Sequence, residues 1–156
     1  MQLNNKYVDG LLIRRYRSSD IGLLIELLKL NTPLFFDASE QKDFLDYLKY
    51  KVEDYFVVEK DRSVVAAGGI NYFEGQQQAR IAWDLVHPSI QGKGIGTYLL
   101  QHRLKYIETL NSYKYIMVRT SQHSFRFYER NGFVLMQTKK DFWAVGMDLY
   151  VMEYKP

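Results

Sequence analysis

Ala79 to Thr97 reads ARIAWDLVHPSIQGKGIGT: a strand-like run, a proline turn, and then Gln91-Gly92-Lys93-Gly94-Ile95-Gly96-Thr97 at the opening of an amphipathic helix. Glycines let successive backbone N–H groups turn toward one point without interference from Cβ. The helix behind them adds its uncompensated donors and the positive end of its dipole. The stretch therefore reads as an anion cradle, and a phosphorylated ligand is expected there. A mononucleotide P-loop would place four residues between its glycines and follow with Gly-Lys-Ser/Thr, but here Lys93 lies between the glycines. A dinucleotide fingerprint would need the order G-x-G-x-x-G, whereas Gly92, Gly94 and Gly96 are spaced two apart. Gln91-x-x-Gly94-x-Gly96 remains. On its own it competes with a simple helix-capping turn.

The flanks decide between these readings. Upstream the strand ends in Leu85-Val86-His87-Pro88; downstream stands Phe127-Tyr128-Glu129-Arg130-Asn131-Gly132-Phe133. Together, in this order and about a helix and a strand apart, these segments resemble the pyrophosphate loop, its preceding strand end and the "F-Y-E-K-x-G-F" segment of the GNAT N-acetyltransferase superfamily. The resemblance runs from about Val64 to the C-terminus; before that it lies mainly in the order of elements. It implies a mixed α/β (α+β) fold, with a central, mostly antiparallel, splayed sheet of about seven strands and about four helices.

The resemblance also implies a site. The strand before the glycine loop and the strand after the next helix would run parallel and splay, and the pantetheine arm of acetyl-CoA would enter the gap. The arm would pair with backbone groups of Asp84, Leu85 and Val86, and the diphosphate would meet the N–H groups from Gln91 through Gly92, Lys93, Gly94, Ile95 and Gly96 to Thr97. Tyr128 matches the family tyrosine that protonates the departing sulfur. Ser121 stands where many members place Asn, and Ser124 where a small Ala is usual; both are counted with the cofactor-binding residues. For the base, strand alternation puts Arg80, Ala82, Asp84 and Val86 on one face and Ile81, Trp83 and Leu85 on the other. Ala82 cannot titrate and Arg80 stays protonated, so Asp84 is the candidate. Pairing of Asp84 with Arg80, or a water chain with no single base, is the alternative. His87 and His123 have no His/Asp/Glu cluster at ligand spacing around them, and no metal is expected.

At 156 residues the chain is expected to form a single N-acetyltransferase domain spanning 1–156. It contains no cysteine, which removes disulfides, thiolate ligands and an acyl-cysteine intermediate from consideration. A net charge of +3, spread along the chain, is too small a bias to suggest nucleic acid. The opening MQLNNKYVDG shows no signal-peptide pattern and no apolar run is long enough to span a membrane, so a cytoplasmic location is expected. Aromatic residues reach 15%, enough for some to line an acceptor pocket besides filling the core.

Periodicity predicts a strand over 11–16, a helix over 21–30 apolar nearly all round and so buried on more than one side, and a second helix over 41–51 with Phe44, Leu45 and Leu48 inward. Strands follow over 54–59, 64–73 and 80–86, then a helix ending near Asn111, a strand over 113–119, a short helix over 123–131 and a strand from Phe133. Residues 139–146 read as a polar and aromatic connection to the last strand, 147–154. The functional expectation is an acetyl-CoA-dependent N-acetyltransferase acting on a primary amine by direct attack in a ternary complex. Its rival is a non-catalytic acyl-CoA-binding regulatory domain. Asp37 and Glu40, or Asp141 with Trp143, are candidates for holding a cationic amine. A homodimer through the last strands is suggested by the resemblance alone.

Overall fold

Among the described residues eight strands form one sheet in the order β1-β2-β3-β4-β5-β6-β8-β7. The structure, a computed structural model, describes residues 10–156 and the backbone of Tyr7 and Val8; most of the stretch read above for a signal peptide lies outside the described residues. The strands are β1 (Tyr7–Val8), β2 (Leu11–Arg15), β3 (Asp54–Lys60), β4 (Ser63–Phe73), β5 (Gln78–Val86), β6 (Tyr115–Thr120), β7 (Phe133–Ala144) and β8 (Met147–Tyr154). Neighbours run antiparallel except β5 and β6, which are joined through a helix and run parallel. The strand beyond the expected seven is the two-residue β1.

Among the described residues four α-helices cover the faces: α1 (Ile21–Leu30), α2 (Glu40–Asp46), α3 (Ile95–Leu110) and α4 (Phe125–Arg130). Strand alternation sends Val57, Ala67 and Leu85 to one face, where they meet Leu24, Leu27 and Leu28 of α1 and Phe44 of α2. Phe56, Val58, Ala66, Ile70, Ala79 and Ile81 go to the other face and meet Ile95, Leu99, Leu100 and Ile107 of α3 and Tyr128 of α4. Each fully buried leucine of this kind stabilises the fold by roughly 1.5–3 kcal/mol relative to exposure.

Two expectations change here. Helix α1 leaves one side open: Leu23 and Leu30 are 57% and 54% exposed, because the sheet and α2 cover only the side that carries Leu24, Leu27 and Leu28. Residues 139–144 are not a connection but the end of β7, which pairs through Ala144 opposite Met147 in a tight hairpin. A register shift between Lys139 and Ala144, with Asp141 at φ 52, makes that stretch irregular. The second helix continues as expected to Lys51, its last five residues in a wider π-type winding.

The sheet opens at the middle of β5. Residues Gln78 to Ile81 pair with Tyr115 to Val118, and there the parallel ladder ends, although β5 runs on to Val86 and β6 to Thr120. On its other side β5 stays paired with β4, through a bulge: Ala67 opposes Leu85 and Gly69 opposes Ala82, so Trp83 and Asp84 together face Gly68. Trp83 takes φ 52 at this step.

Candidate active site

The bulge overturns the simple alternation expected for β5. Ala79 and Ile81 lie on the α3/α4 face, but after the extra residue so does Val86, while Trp83 and Leu85 belong to the α1/α2 face. Asp84 is thereby turned away from Arg80 and Ala82 and toward α3, where it pairs with Arg103. The alternative pairing of Asp84 with Arg80 is not formed; Arg80 donates to Gln78 instead.

Asp84 and Tyr128, the two catalytic candidates, meet: the Tyr128 hydroxyl donates to Asp84 Oδ2 at 2.6 Å. Arg103 Nη1 donates to the other carboxylate oxygen and to the Gly69 carbonyl, the latter at 3.0 Å. Arg103 is fully buried, a position that is costly for a charge unless it is paired. Burial by itself would lower its pKa, but the charge and hydrogen bond of Asp84 outweigh it and the guanidinium stays protonated. Burial, then the neighbouring Asp84 charge, pushes the Tyr128 hydroxyl well above the ordinary tyrosine range, so it remains a proton donor. Gly68 makes the arrangement fit: a Cβ there would stand 2.5 Å from Asp84 Oδ1 and 2.6 Å from Arg103 Nη1.

Arg103 was missed by the sequence reading, yet a signal was present. It stands at the i+8 position of the stripe Ile95, Leu99, Arg103, Ile107 on α3, so the helix period buries a charge in the middle of an apolar face. Leu104, the next residue, is only half-buried.

The glycine loop lies where β5 hands over to α3. Gly92 and Gly94 adopt φ of 78° and 84°, which favours glycine, and no neighbouring atom lies within 4 Å of where a Cβ would be. Gly96 serves close approach instead, its Cβ position lying 3.4 Å from the Phe127 ring. Helix α3 has no side-chain cap, and its first intrahelical bond runs from Tyr98 N to the Gly94 carbonyl at 2.9 Å. The N–H groups of Ile95, Gly96 and Thr97 therefore lack intrahelical acceptors. Lys93 is exposed on the loop.

The gap wall is held by polar ties. His87 N donates to the Val65 carbonyl at 2.8 Å, so the backbone groups of Val86 face the opposite way, toward the side that β6 leaves. The Val86 carbonyl accepts from Asn31 Nδ2 at 3.2 Å and Gln91 Nε2 at 3.1 Å, and Gln91 Nε2 also donates to Asn31 Oδ1 at 3.0 Å. Gln91 thus braces the loop with its side chain, and Asn31 is a second residue that sequence reading missed. Across the gap, Ser121 is buried and its carbonyl accepts from Ser124 N and Phe125 N at the start of α4. Ser124 is the residue from which α4 departs.

On the α1/α2 face, Trp83 stacks on Phe36 at 5.8 Å and lies 4.8 Å from the Phe44 ring, so the loop after α1 covers the bulge. The carboxylates considered for a cationic amine are engaged locally. Asp37 Oδ2 accepts from Ser39 N at 2.9 Å, Glu40 Oε2 from Asp37 N at 2.8 Å, and Asp141 Oδ1 from Gly146 N at 2.7 Å. His87 Nδ1 accepts from Ser89 N at 3.1 Å, and among the described residues no group of three His, Cys, Asp or Glu side chains could hold a metal ion. No helix among them is long and apolar enough to cross a membrane.

This arrangement, a parallel pair splayed beside a bulged strand with a glycine loop at the next helix, has a counterpart among known proteins. The Acetyltransferase (GNAT) family profile matches residues 23–133. The chain belongs to the GNAT acetyltransferase family. Of solved structures, Ard1 from Thermoplasma volcanium superposes with a TM-score of 0.78 at 19% identity, covering 92% of this chain and 96% of that one. An aminoglycoside 6'-N-acetyltransferase crystallised with coenzyme A superposes at 0.73 and 14% identity, covering 90% of this chain and 94% of its own. Likeness at that identity concerns the fold. In sequence, the amino-acid acetyltransferase of Actinobacillus pleuropneumoniae serotype 5b is 27% identical over 128 residues, 81% of this chain. The chain spans 28% of that relative's length.

Proposed function

We propose that the chain transfers the acetyl group of acetyl-CoA to a primary amine, acting as one cytoplasmic N-acetyltransferase domain over 1–156. The observation that carries this reading is the 2.6 Å contact of Tyr128 and Asp84 at the gap between β5 and β6. The residues present fit the cosubstrate: N–H groups without intrahelical acceptors at the start of α3 suit a diphosphate, and the stretch of β5 beyond its ladder with β6 suits an extended amide-bearing arm. Gln91 to Thr97 would hold the diphosphate, with Asp84, Leu85 and Val86 along the arm and Ser121 and Ser124 on the far side. When bound, acetyl-CoA supplies an activated acetyl thioester.

The residues then have distinct tasks. Tyr128 Oη holds the proton needed by the departing sulfur. Asp84 receives a proton lost from the amine, directly or through water, and returns one to Tyr128 Oη across their hydrogen bond. In the balanced reaction a C–N bond forms, a C–S bond breaks, and one proton passes from amine to thiol. Arg103 fixes the Asp84 carboxylate and is a positioning residue.

Thiol release from acetyl-CoA, measured across amines, amino acids, polyamines, aminoglycosides and N-terminal peptides, tests the reading. Turnover with an amine that falls at least about a hundredfold in Tyr128→Phe, with coenzyme A affinity retained, is expected from the loss of a general acid. Coenzyme A binding without turnover of any amine would overturn it in favour of a regulatory domain.

A further inference from the structure

Helices α1 and α2 cover β3, β4 and the C-terminal half of β5, and a groove of about 340 Å³ opens on the same face over the start of β5, β6, β8 and β7, which they leave bare. Arg80 alternates with Ala79 and Ile81, and Arg119 follows Val118; those neighbours lie under α3 and α4, so both arginines stand on this bare face. With Lys139 they make three cations lining the groove, and among the described residues no Asp or Glu lines it. Among the described residues none of the three makes a salt bridge.

Their partners are neutral. Arg80 donates Nε and Nη2 to Gln78 Oε1 at 3.2 and 2.9 Å. The guanidinium of Arg119 lies 4.9 Å from the Phe142 ring and 5.9 Å from that of Trp143, and Lys139 Nζ lies 5.5 Å from Phe142. Burial, and next the positive charge of Arg119, lowers the Arg80 pKa. Like charges gathered in a half-buried groove with no counter-ion repel one another, and an anion entering there relieves that repulsion. The planar forks of two arginines match a carboxylate in particular.

Position ties the groove to the reaction. Arg119 stands one residue past the last β5–β6 pair, Ile81 with Val118, and so at the mouth of the gap. Arg80 opposes Asn71 and Asp84 faces Gly68, three residues apart on β4, so the two stand roughly 10 Å apart along the sheet at about 3.3 Å per residue, on opposite faces that the gap connects. We propose that this groove receives a carboxylate of the acceptor, and that the acceptor is an amine carrying that carboxylate several bonds from its nitrogen. The proposal rests on the acetyl-transfer reading and narrows its substrate class. It also opposes a polycationic acceptor, which three cations in the groove would repel.

The test measures binding and turnover separately. Calorimetric titration of the protein with N-acetyl-4-aminobutyrate and with its carboxamide reads the groove without any chemistry. The carboxylate should bind at least about tenfold more tightly than the amide, and Arg80→Gln with Arg119→Gln, or the exposed Lys139→Gln, should shrink the gap. Equal binding of acid and amide by the unmodified protein, or tighter binding of N-acetylspermidine, would overturn the proposal whatever the variants do. Turnover of ω-amino acids from glycine to 6-aminohexanoate, each against its amide, then reads the reaction. Carboxylate preference in binding without turnover of any amine would leave the groove standing and remove the acetyl-transfer reading; turnover of acid and amide alike would do the reverse.

Discussion

Replacing Asp84 by Asn leaves Arg103 charged, fully buried and without its counter-ion. Nη1 would keep the Gly69 carbonyl and Nε the Leu99 carbonyl, but Nη2 already has no partner among the described residues. Breaking a buried pair from one side costs about 3–5 kcal/mol, because the surviving charge is stranded. For a domain of this size each kcal/mol moves the melting temperature by about 2–4 °C, so Asp84→Asn should melt roughly 6–20 °C lower. Arg103→Met should cost less, since it removes the desolvated charge and leaves Asp84, with 20% of its side chain exposed, able to use water and the Tyr128 hydroxyl. The double variant should recover much of the loss, giving a coupling energy of at least about 2 kcal/mol in a urea-unfolding cycle. Additivity within about 0.5 kcal/mol, or an Asp84→Asn variant as stable as the parent, would refute the pairing as the feature that holds the bulge.

Gly68→Ala tests the same pair from the neighbouring strand. Its methyl would overlap Asp84 Oδ1 and Arg103 Nη1, so a loss of about 1–3 kcal/mol in urea unfolding is expected, with thiol release reduced; parental stability would mean that the guanidinium moves freely. Gly94→Ala should cost about 1–2 kcal/mol, because φ 84 is unfavourable for a residue with Cβ although nothing obstructs the space, and should weaken coenzyme A binding in calorimetry. His102 is held below its ordinary pKa of 6.5 by burial first and then by Arg103. The unfolded chain binds the extra proton more readily, so this contribution is intact above pH 6.5 and is lost as pH falls below it. His102→Gln should flatten that part of the urea-midpoint profile between pH 7.5 and 5.5, and an unchanged profile would assign the slope elsewhere.

Much of the candidate site's local geometry was legible in the chain, for identifiable reasons. Glycine spacing and an adjoining amphipathic helix place backbone donors locally, so Gln91 to Thr97 could be read without tertiary knowledge. Helix and strand periods did the same for most elements, since each reflects one buried face. What could not be read was set by the partner strand. Alternation fails in β5 because Trp83 and Asp84 both oppose Gly68, and nothing in ARIAWDLVHP announces the extra residue. The same holds for Lys139 to Ala144, whose polar sequence hides a strand paired to β8.

The residues that sequence reading missed are linked to that bulge by a physical chain. Turning Asp84 toward α3 puts a carboxylate against an apolar helix face, which is tolerable only with a cation opposite it, and Arg103 at the stripe position supplies the cation. The cation needs volume, and Gly68, the residue the bulge straddles, leaves that volume open. Trp83, displaced to the other face by the same step, stacks on Phe36 of the loop after α1. One inserted residue therefore sets the direction of the Tyr128 partner on one face and a wall beside the gap on the other. A charge inside a helical stripe, paired in sequence with a small residue in a central strand, is the trace such a bulge leaves in the chain.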